Sequence, residues 1–414
     1  MKSRHLLKPS RVRVVTLLFA AAGGFSATTG RSGESWTRHV IDPADPVAHR
    51  TGADGVKPGD LNRDGLVDYV TGWEEGGKVR VCLNPGPGKV REPWPSVTVG
   101  KVRSPEDAVL TDLDGDGWLD VATACEGKER KLHVHWAPPS GTGILDESAW
   151  STGTFPHDSL NQWWMQILPR DLDGDHDMDL IAGSKNAGAS VTWLENPGGT
   201  NARNLETWQV HPLAGAGWIM SLEILTTEGR EFLVYSDRKG KGSGIWIAPF
   251  LETSPWIGPP RSVGASGEEV MFLDPADTDG DGIAELVAAI RPASIRVYGS
   301  SGDPTAPWEI RQELHPLPWD RAGTVKAVRW IGTGRDESME FAITCEQAEG
   351  TRCGALLGSR NGTWSLIGGE EGTKFDRIEW IDLDGDGDED LVTCEERDGL
   401  GVVWYENPGS RPAQ

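Results

Sequence analysis

The sequence predicts an all-β protein: a seven-bladed β-propeller with four-stranded blades, closed by an N-terminal strand that completes the last blade. Three observations predict it. An acidic nonapeptide recurs along the chain, short apolar runs of strand length flank each copy, and the strand that the last unit lacks stands at the opposite end. Recurrence at a period of about fifty residues, with four short strands per period, is the signature of propeller blades.

Composition agrees with many strands and turns. The chain has 414 residues, 53 of them Gly and 27 Pro, with 37% hydrophobic and 25% charged residues, which excludes a disordered or collagen-like chain. The formal charge of -23, from 63 acids against 40 Lys and Arg, argues against attraction to nucleic acid or to an anionic membrane. Five Cys are too few for a disulfide scaffold. Residues 1–27 carry Lys2, Arg4, Lys8, Arg11 and Arg13 but no acid, then an apolar run over 14–22 and small residues through Ala27. They read as a signal peptide cleaved after Ala22 or Ala27, followed by a linker at 28–34. The run is about half the ~20 residues a membrane span needs. A secreted or periplasmic monomer without membrane insertion is expected.

The acidic segments are DLNRDGLVD (60–68), DLDGDGWLD (112–120), DLDGDHDMD (171–179), DTDGDGIAE (277–285) and DLDGDGDED (382–390). Two wider gaps hold copies that keep the flanking apolar segments and lose the acids, at 221–240 and 328–346, which makes seven units. Within a unit the apolar runs are too short for helices and alternate as strands do, and turn signals separate them, Asn-Pro-Gly at Asn84, Asn196 and Asn407 included. A Trp opens the fourth strand at Trp94, Trp150, Trp208, Trp256, Trp308 and Trp364. The last unit ends after its third strand, and Trp36 in SWTRHVID (35–42) supplies the fourth at the other end of the chain. The propeller is expected to span 35–409, with a tail at 410–414. The repeat also accounts for most of the 19 Trp, which are core residues before they are ligand platforms.

In DLDGDGWLD, side-chain oxygens fall at positions 1, 3, 5 and 9, with Gly at position 6 where the chain reverses. That spacing lets one loop wrap a hard cation, and Ca²⁺ takes several oxygens where Mg²⁺ keeps its waters. The opening is that of an EF-hand, but the bidentate Glu at position 12 is missing and β-type residues follow, so no exiting helix is expected. An acidic surface turn is the alternative for any single loop; five copies with the same positions filled favour metal.

On these residues the chain resembles the FG-GAP/VCBS repeat proteins, whose propeller blades hold Ca²⁺ in a hairpin loop of this form, as in integrin α-subunit heads. The resemblance implies up to five Ca²⁺ ions, held by Asp60, Asn62, Asp64 and Asp68; Asp112, Asp114, Asp116 and Asp120; Asp171, Asp173, Asp175 and Asp179; Asp277, Asp279, Asp281 and Glu285; and Asp382, Asp384, Asp386 and Asp390. Three departures stand out: Asn62 lowers the ligand charge, Glu285 lengthens the last ligand, and His176 replaces Gly where a left-handed conformation is needed. Units four and six, without acids, are expected to be metal-free.

The opposite face gathers the turns between second and third strands: Glu74, Glu126, Lys185, Arg238, Arg291, Glu346 and Glu396, three consecutive bases and four consecutive acids around the ring. Near it the approaches to the first strands bring Glu106, Asp107, Trp163, Trp164, Trp218, Glu268, Lys326, Asp376 and Arg377, and the longest insertion brings His157. This is either a solvated rim or a polar, Trp-flanked depression that binds a carbohydrate or an extracytoplasmic protein. No catalytic residue is assigned, since G-x-S-x-G, H-E-x-x-H and a Gly-rich phosphate loop are all missing from the sequence. A polysaccharide lyase or sugar dehydratase on a propeller scaffold, and a purely structural scaffold, are the alternatives. Cys345 and Cys353 flank one such turn and are either bridged or two buried thiols.

Overall fold

The second strand of each repeat is an unbroken run of small and branched apolar residues, which suits a strand covered on both faces. In the computed structural model, which describes residues 36–45, 52–314, 323–332, 341–346, 355–358, 364–368 and 371–408, these strands are buried along their length at Asp68–Trp73, Asp120–Cys125, Glu285–Ile290, Phe341–Glu346 and Asp390–Glu395. The leader, the linker, the tail, His49 and Cys353 lie outside the described residues. Cys345 is buried, as are the thiols Cys82, Cys125 and Cys394.

All sheets are four-stranded and antiparallel. Six are contiguous blades of consecutive strands: blade 1 (53–100), blade 2 (105–154), blade 3 (163–215), blade 4 (219–264), blade 5 (270–314) and blade 6 (324–366). The remaining sheet is composite. Phe375–Ile381, Asp390–Glu395 and Gly401–Glu406 exhaust the C-terminal repeat, and the open edge of the last strand pairs with Thr37–Asp42, from Thr37 opposite Glu406 to Asp42 opposite Val402. The expected seven-bladed propeller is corrected to six contiguous blades, together with one sheet built from both ends of the chain. Thr37–Asp42 covers the outer edge of Gly401–Glu406, and an unpaired edge is costly to leave open.

The innermost strands pack on one another in order, from Ala53–Gly59 to Pro105–Thr111 and onward to Phe375–Ile381, which returns to Ala53–Gly59. The core lies between successive sheets. One cluster joins Val134 and Phe155 of blade 2 to Leu180 and Trp208 of blade 3, and another joins Trp404 and Ile41 of the composite sheet to Val56 and Trp73 of blade 1. In blades 1, 2, 3 and 5 the repeat Trp stands just before the outermost strand, and its indole N–H donates to a carbonyl of its own loop: Trp94 to Val90, Trp150 to Ile144, Trp208 to Ala202 and Trp308 to Pro304, at 2.7–3.0 Å. Each satisfies a buried donor that would otherwise be costly.

Every innermost strand carries a register shift near its start, as between Asp54 and Lys57, Pro105 and Asp107, and Val325 and Val328. A bulge breaks the alternation and re-aims side chains. Charged residues stand at these starts in blades 1, 2 and 6 and in the composite sheet, as Asp54, Glu106, Lys326 and Asp376, while blades 3 to 5 have Met165, Met220 and Met271 near theirs.

Candidate metal loops and channel rim

The five acidic loops share one scaffold. The first Asp accepts the N–H of positions 4 and 6 in four of them, as Asp112 does from Gly115 at 2.9 Å and Gly117 at 2.8 Å. The third residue accepts from the fifth, and the fifth from the seventh, as in Asp116 to Asp114 at 3.2 Å and Trp118 to Asp116 at 2.8 Å. These Asx turns curl the backbone so that the carboxylates converge. Carboxylate oxygens of Asp112, Asp114 and Asp120 lie within 4.8 Å of one another, as do those of Asp171, Asp173 and Asp179 and those of Asp277, Asp279 and Glu285. An all-oxygen set of this charge suits a hard divalent cation. His176 adopts φ 77° and holds the third loop in the common form. Position 4 is left-handed too, which the sequence reading missed because Gly fills it in four loops; Arg63 takes φ 61° there in the first.

The ninth residue is tied differently. Asp68 accepts Leu61 N–H and Asn84 N–H, both at 2.8 Å, and the same pair of bonds recurs at Asp120, Asp179 and Asp390. Burial pushes these carboxyls up, to about 6 for Asp68, 8 for Asp120 and 7 for Asp179 and Asp390, although the backbone bonds oppose the shift. A bound cation would relieve that penalty. Arginines lie beside two of the loops: Arg203 Nε is 2.5 Å from Asp114 Oδ2, and Arg91 pairs with Asp384. Blade 4 has no such loop. Its first two strands join through Glu228 and Gly229, at φ 50° and 69°, a tight hairpin of the kind that suits strand twist.

On the opposite rim, Glu74, Glu126 and Glu106 bring carboxylate oxygens within 4.8 Å of one another, and so do Asp54, Glu74 and Glu396. Burial, then Glu126 and Glu396, raises Glu74 to about 7. Lys326, buried, answers these acids at 3.2 Å from Asp376, 3.9 Å from Asp54 and 4.0 Å from Glu396. Burial works against the Asp376 carboxylate, yet Lys326 holds it well below the usual range. Lys374 pairs with Glu396, Lys185 with Glu126 and Arg291 with Glu346. Further round the ring cations gather among fewer acids, with Arg238 and Arg291 sharing Glu269 at 3.3 and 3.7 Å. Trp218, half-buried, has Lys185 and Lys239 each 4.5 Å and Arg238 4.7 Å from its ring centre, and Asp237 fixes it by accepting the N–H of Gly217 and Trp218 at 2.9 and 2.8 Å.

Below the rim the channel is filled. Arg377 of the composite sheet reaches Gln166 of blade 3 at 3.4 Å and Glu223 of blade 4 at 3.1 Å. Lys57 Nζ donates to Asp107 at 2.5 Å and to the carbonyl of Ile167 at 2.9 Å. The pocket between Asp54, Glu106, Phe272 and Arg377 keeps about 10 Å³ free, roughly the space of one water.

The FG-GAP-like repeat family matches residues 60–123 and 112–182, a span that includes the first three acidic loops, and the fold carrying them is a propeller of four-stranded sheets. Residues 60–182 are FG-GAP-like repeats. No curated protein matches the sequence. Among solved structures, virginiamycin B lyase from Staphylococcus aureus is similar at 10% identity over 90% of this chain and 100% of that one, with a TM-score of 0.53. A putative 6-phosphogluconolactonase from Bacteroides uniformis shares 10% identity over 85% and 92% of the two chains at a TM-score of 0.49. The likeness to the lyase is one of fold.

In this propeller the expected rim residues are brought together unevenly. Glu74, Glu126, Lys185, Arg238, Arg291, Glu346 and Glu396 take part in the rim's ion pairs and clusters. Trp163 lies beneath Arg130, whose guanidinium is 3.6 Å from the ring centre. Trp164 is fully buried and bonds the carbonyl of Leu160 at 2.8 Å, so it is a core residue and not a rim one. His157 stands at the start of a short 3-10 turn, Asp158–Leu160, without a side-chain hydrogen bond to it, and has no carboxylate partner among the described residues. Asp54 and Lys374 were missed. Aligning the first strands would have found Asp54, since Glu106 and Asp376 occupy the same second position and Lys326 the third of its strand.

Proposed function

We propose that the protein is a calcium-stabilised binding module outside the cytoplasm, which presents its charge-divided rim to a protein or carbohydrate partner. The observation that carries this reading is the rim itself: an acidic arc centred on Glu74 and a basic arc around Trp218, each preorganised by neighbouring blades. The filled channel beneath favours a partner that lies across the rim over a small molecule that enters it. The Asx-turn loops on the other face support Ca²⁺ as the structural cation, and the basic, acid-free leader supports export.

The test is a panel of polysaccharides and extracellular proteins offered to the immobilised propeller, scored for both retention and product release. Retention that falls steeply with salt and is lost in Arg238→Glu with Lys239→Glu, without product, supports the module. Product release supports the lyase or dehydratase instead, and retention indifferent to rim charge removes the rim from function.

A further inference from the structure

We propose that the groove between blades 3 and 4 is a binding site for an uncharged carbohydrate, with Trp256 as its stacking platform. The groove has a volume of about 480 Å³ and is lined by Trp193, Glu195, His211, Pro212, Trp256 and Pro259 among others, a size in the range of small-ligand pockets. It lies away from the rim, and the inference stands independently of the rim reading.

Trp256 breaks the repeat. Its equivalents Trp94, Trp150, Trp208 and Trp308 are buried with their indole N–H groups bonded to carbonyls. In blade 4 the segment 251–260 carries the chain differently, with Trp256 well ahead of the strand Arg261–Gly264. Ile257 takes the core position, packed with Leu222, Leu233 and Tyr235, while Trp256 is half-buried, lines the groove and sits at φ 63°. A bulky side chain in the left-handed region is strained, and such outliers gather at functional positions.

Facing it is a polar pair. His211 Nε2 is 2.6 Å from Glu195 Oε2, and its ring stacks on Trp193 with centroids 4.4 Å apart. The composite sheet repeats this trio: His39 stacks on Trp404 at 4.6 Å and bonds Glu406 at 2.8 Å. There Arg91 covers the carboxylate with two bonds of 2.8 and 2.9 Å. Among the described residues no Lys or Arg pairs with Glu195, whose other contact is Gln209 at 3.4 Å. Each of its oxygens, bonded once, keeps a further lone pair for a hydroxyl donor.

An indole face beside an acceptor carboxylate matches a pyranose, which offers an apolar C–H face and a rim of hydroxyls. An acidic sugar would meet Glu195 and a chain of net charge -23, so the ligand is uncharged. Isothermal titration with penta- and hexasaccharides of β-1,4- or α-1,4-linked glucose, xylose or mannose tests the assignment. At least one is expected to bind. Trp256→Ala should weaken it about tenfold, Trp256→Phe should retain most affinity, Glu195→Gln should weaken it without altering the melting curve, and Arg238→Glu on the rim should leave it unchanged. The proposal is overturned if none of these saccharides binds, if binding survives both Trp256→Ala and Glu195→Gln, or if a proline-rich peptide occupies the groove in their place.

Discussion

At Asp120 both carboxylate oxygens are engaged by backbone N–H groups, from Leu113 at 3.2 Å and Ala137 at 2.8 Å. The ninth residue therefore ties the loop to the end of the third strand, while positions 1, 3 and 5 shape the cradle. Asp120→Ala strands two buried amides and should cost about 2 kcal/mol or more even in chelator. Asp116→Ala, at an exposed turn, should cost little in chelator and appear only when Ca²⁺ is added; urea midpoints with and without EGTA separate the two. The histidines of blade 2 give a pH signature. Burial pushes His135 down to about 3 and His133 down to about 4, with Nδ1 of each 2.9 Å from a Thr hydroxyl. Their folded values lie below the unfolded one of about 6.5, so the unfolded chain takes the proton first. The stability they contribute is present above pH ~6.5 and is lost as pH falls toward 3. Between pH 7 and 4.5 the loss attributable to His135 is on the order of 2 kcal/mol, and His135→Gln should flatten that part of the urea-midpoint profile, measured in EGTA. The spacing of acids was legible in the sequence. The double tie of the ninth residue was not, because a ligand oxygen and a backbone acceptor look the same in one letter.

Among the elements, Thr37–Asp42 is held by more than its ladder. Asp42, buried, accepts two bonds from Arg80 of blade 1, Nε at 2.6 Å and Nη2 at 3.0 Å. Removing one partner of a buried pair leaves the other charge uncompensated, so Asp42→Ala should cost about 3 kcal/mol, read as a lower urea midpoint. Asp42→Asn should recover part of it. If both variants unfold with the wild type, the pair does not anchor this strand. Strands were legible from short apolar runs and turn residues, and the closing strand from Trp36. The bulges that aim Asp54, Glu106 and Lys326 toward the centre left no mark, because one extra residue in a strand changes register without changing composition. Segment 251–260 misled for a related reason: its Trp fits the repeat letter by letter, and only the path of the backbone moves it from core to groove.

For the molecule as a whole, the acidity finds its place in loops and rim, each partly offset by arginines and lysines. Transfer of the Ca²⁺-loaded protein into excess EGTA should lower its melting temperature by several degrees, since each site filled at a hundredfold its dissociation constant adds about 2.7 kcal/mol to the folded state. An unchanged melting curve would show that the loops stand without metal. Blade architecture could be foreseen because every unit solves the same burial problem; which blades deviate could not, because deviation lies in a few backbone angles. The pairing of Thr37 with Glu406 also sets an order of assembly. During synthesis Thr37–Asp42 emerges long before Gly401–Glu406, and contacts so far apart in sequence form late. Until then the nascent chain has two raw edges that another copy could capture. The seam is thus a checkpoint in time, passed only by chains that carry both halves of it.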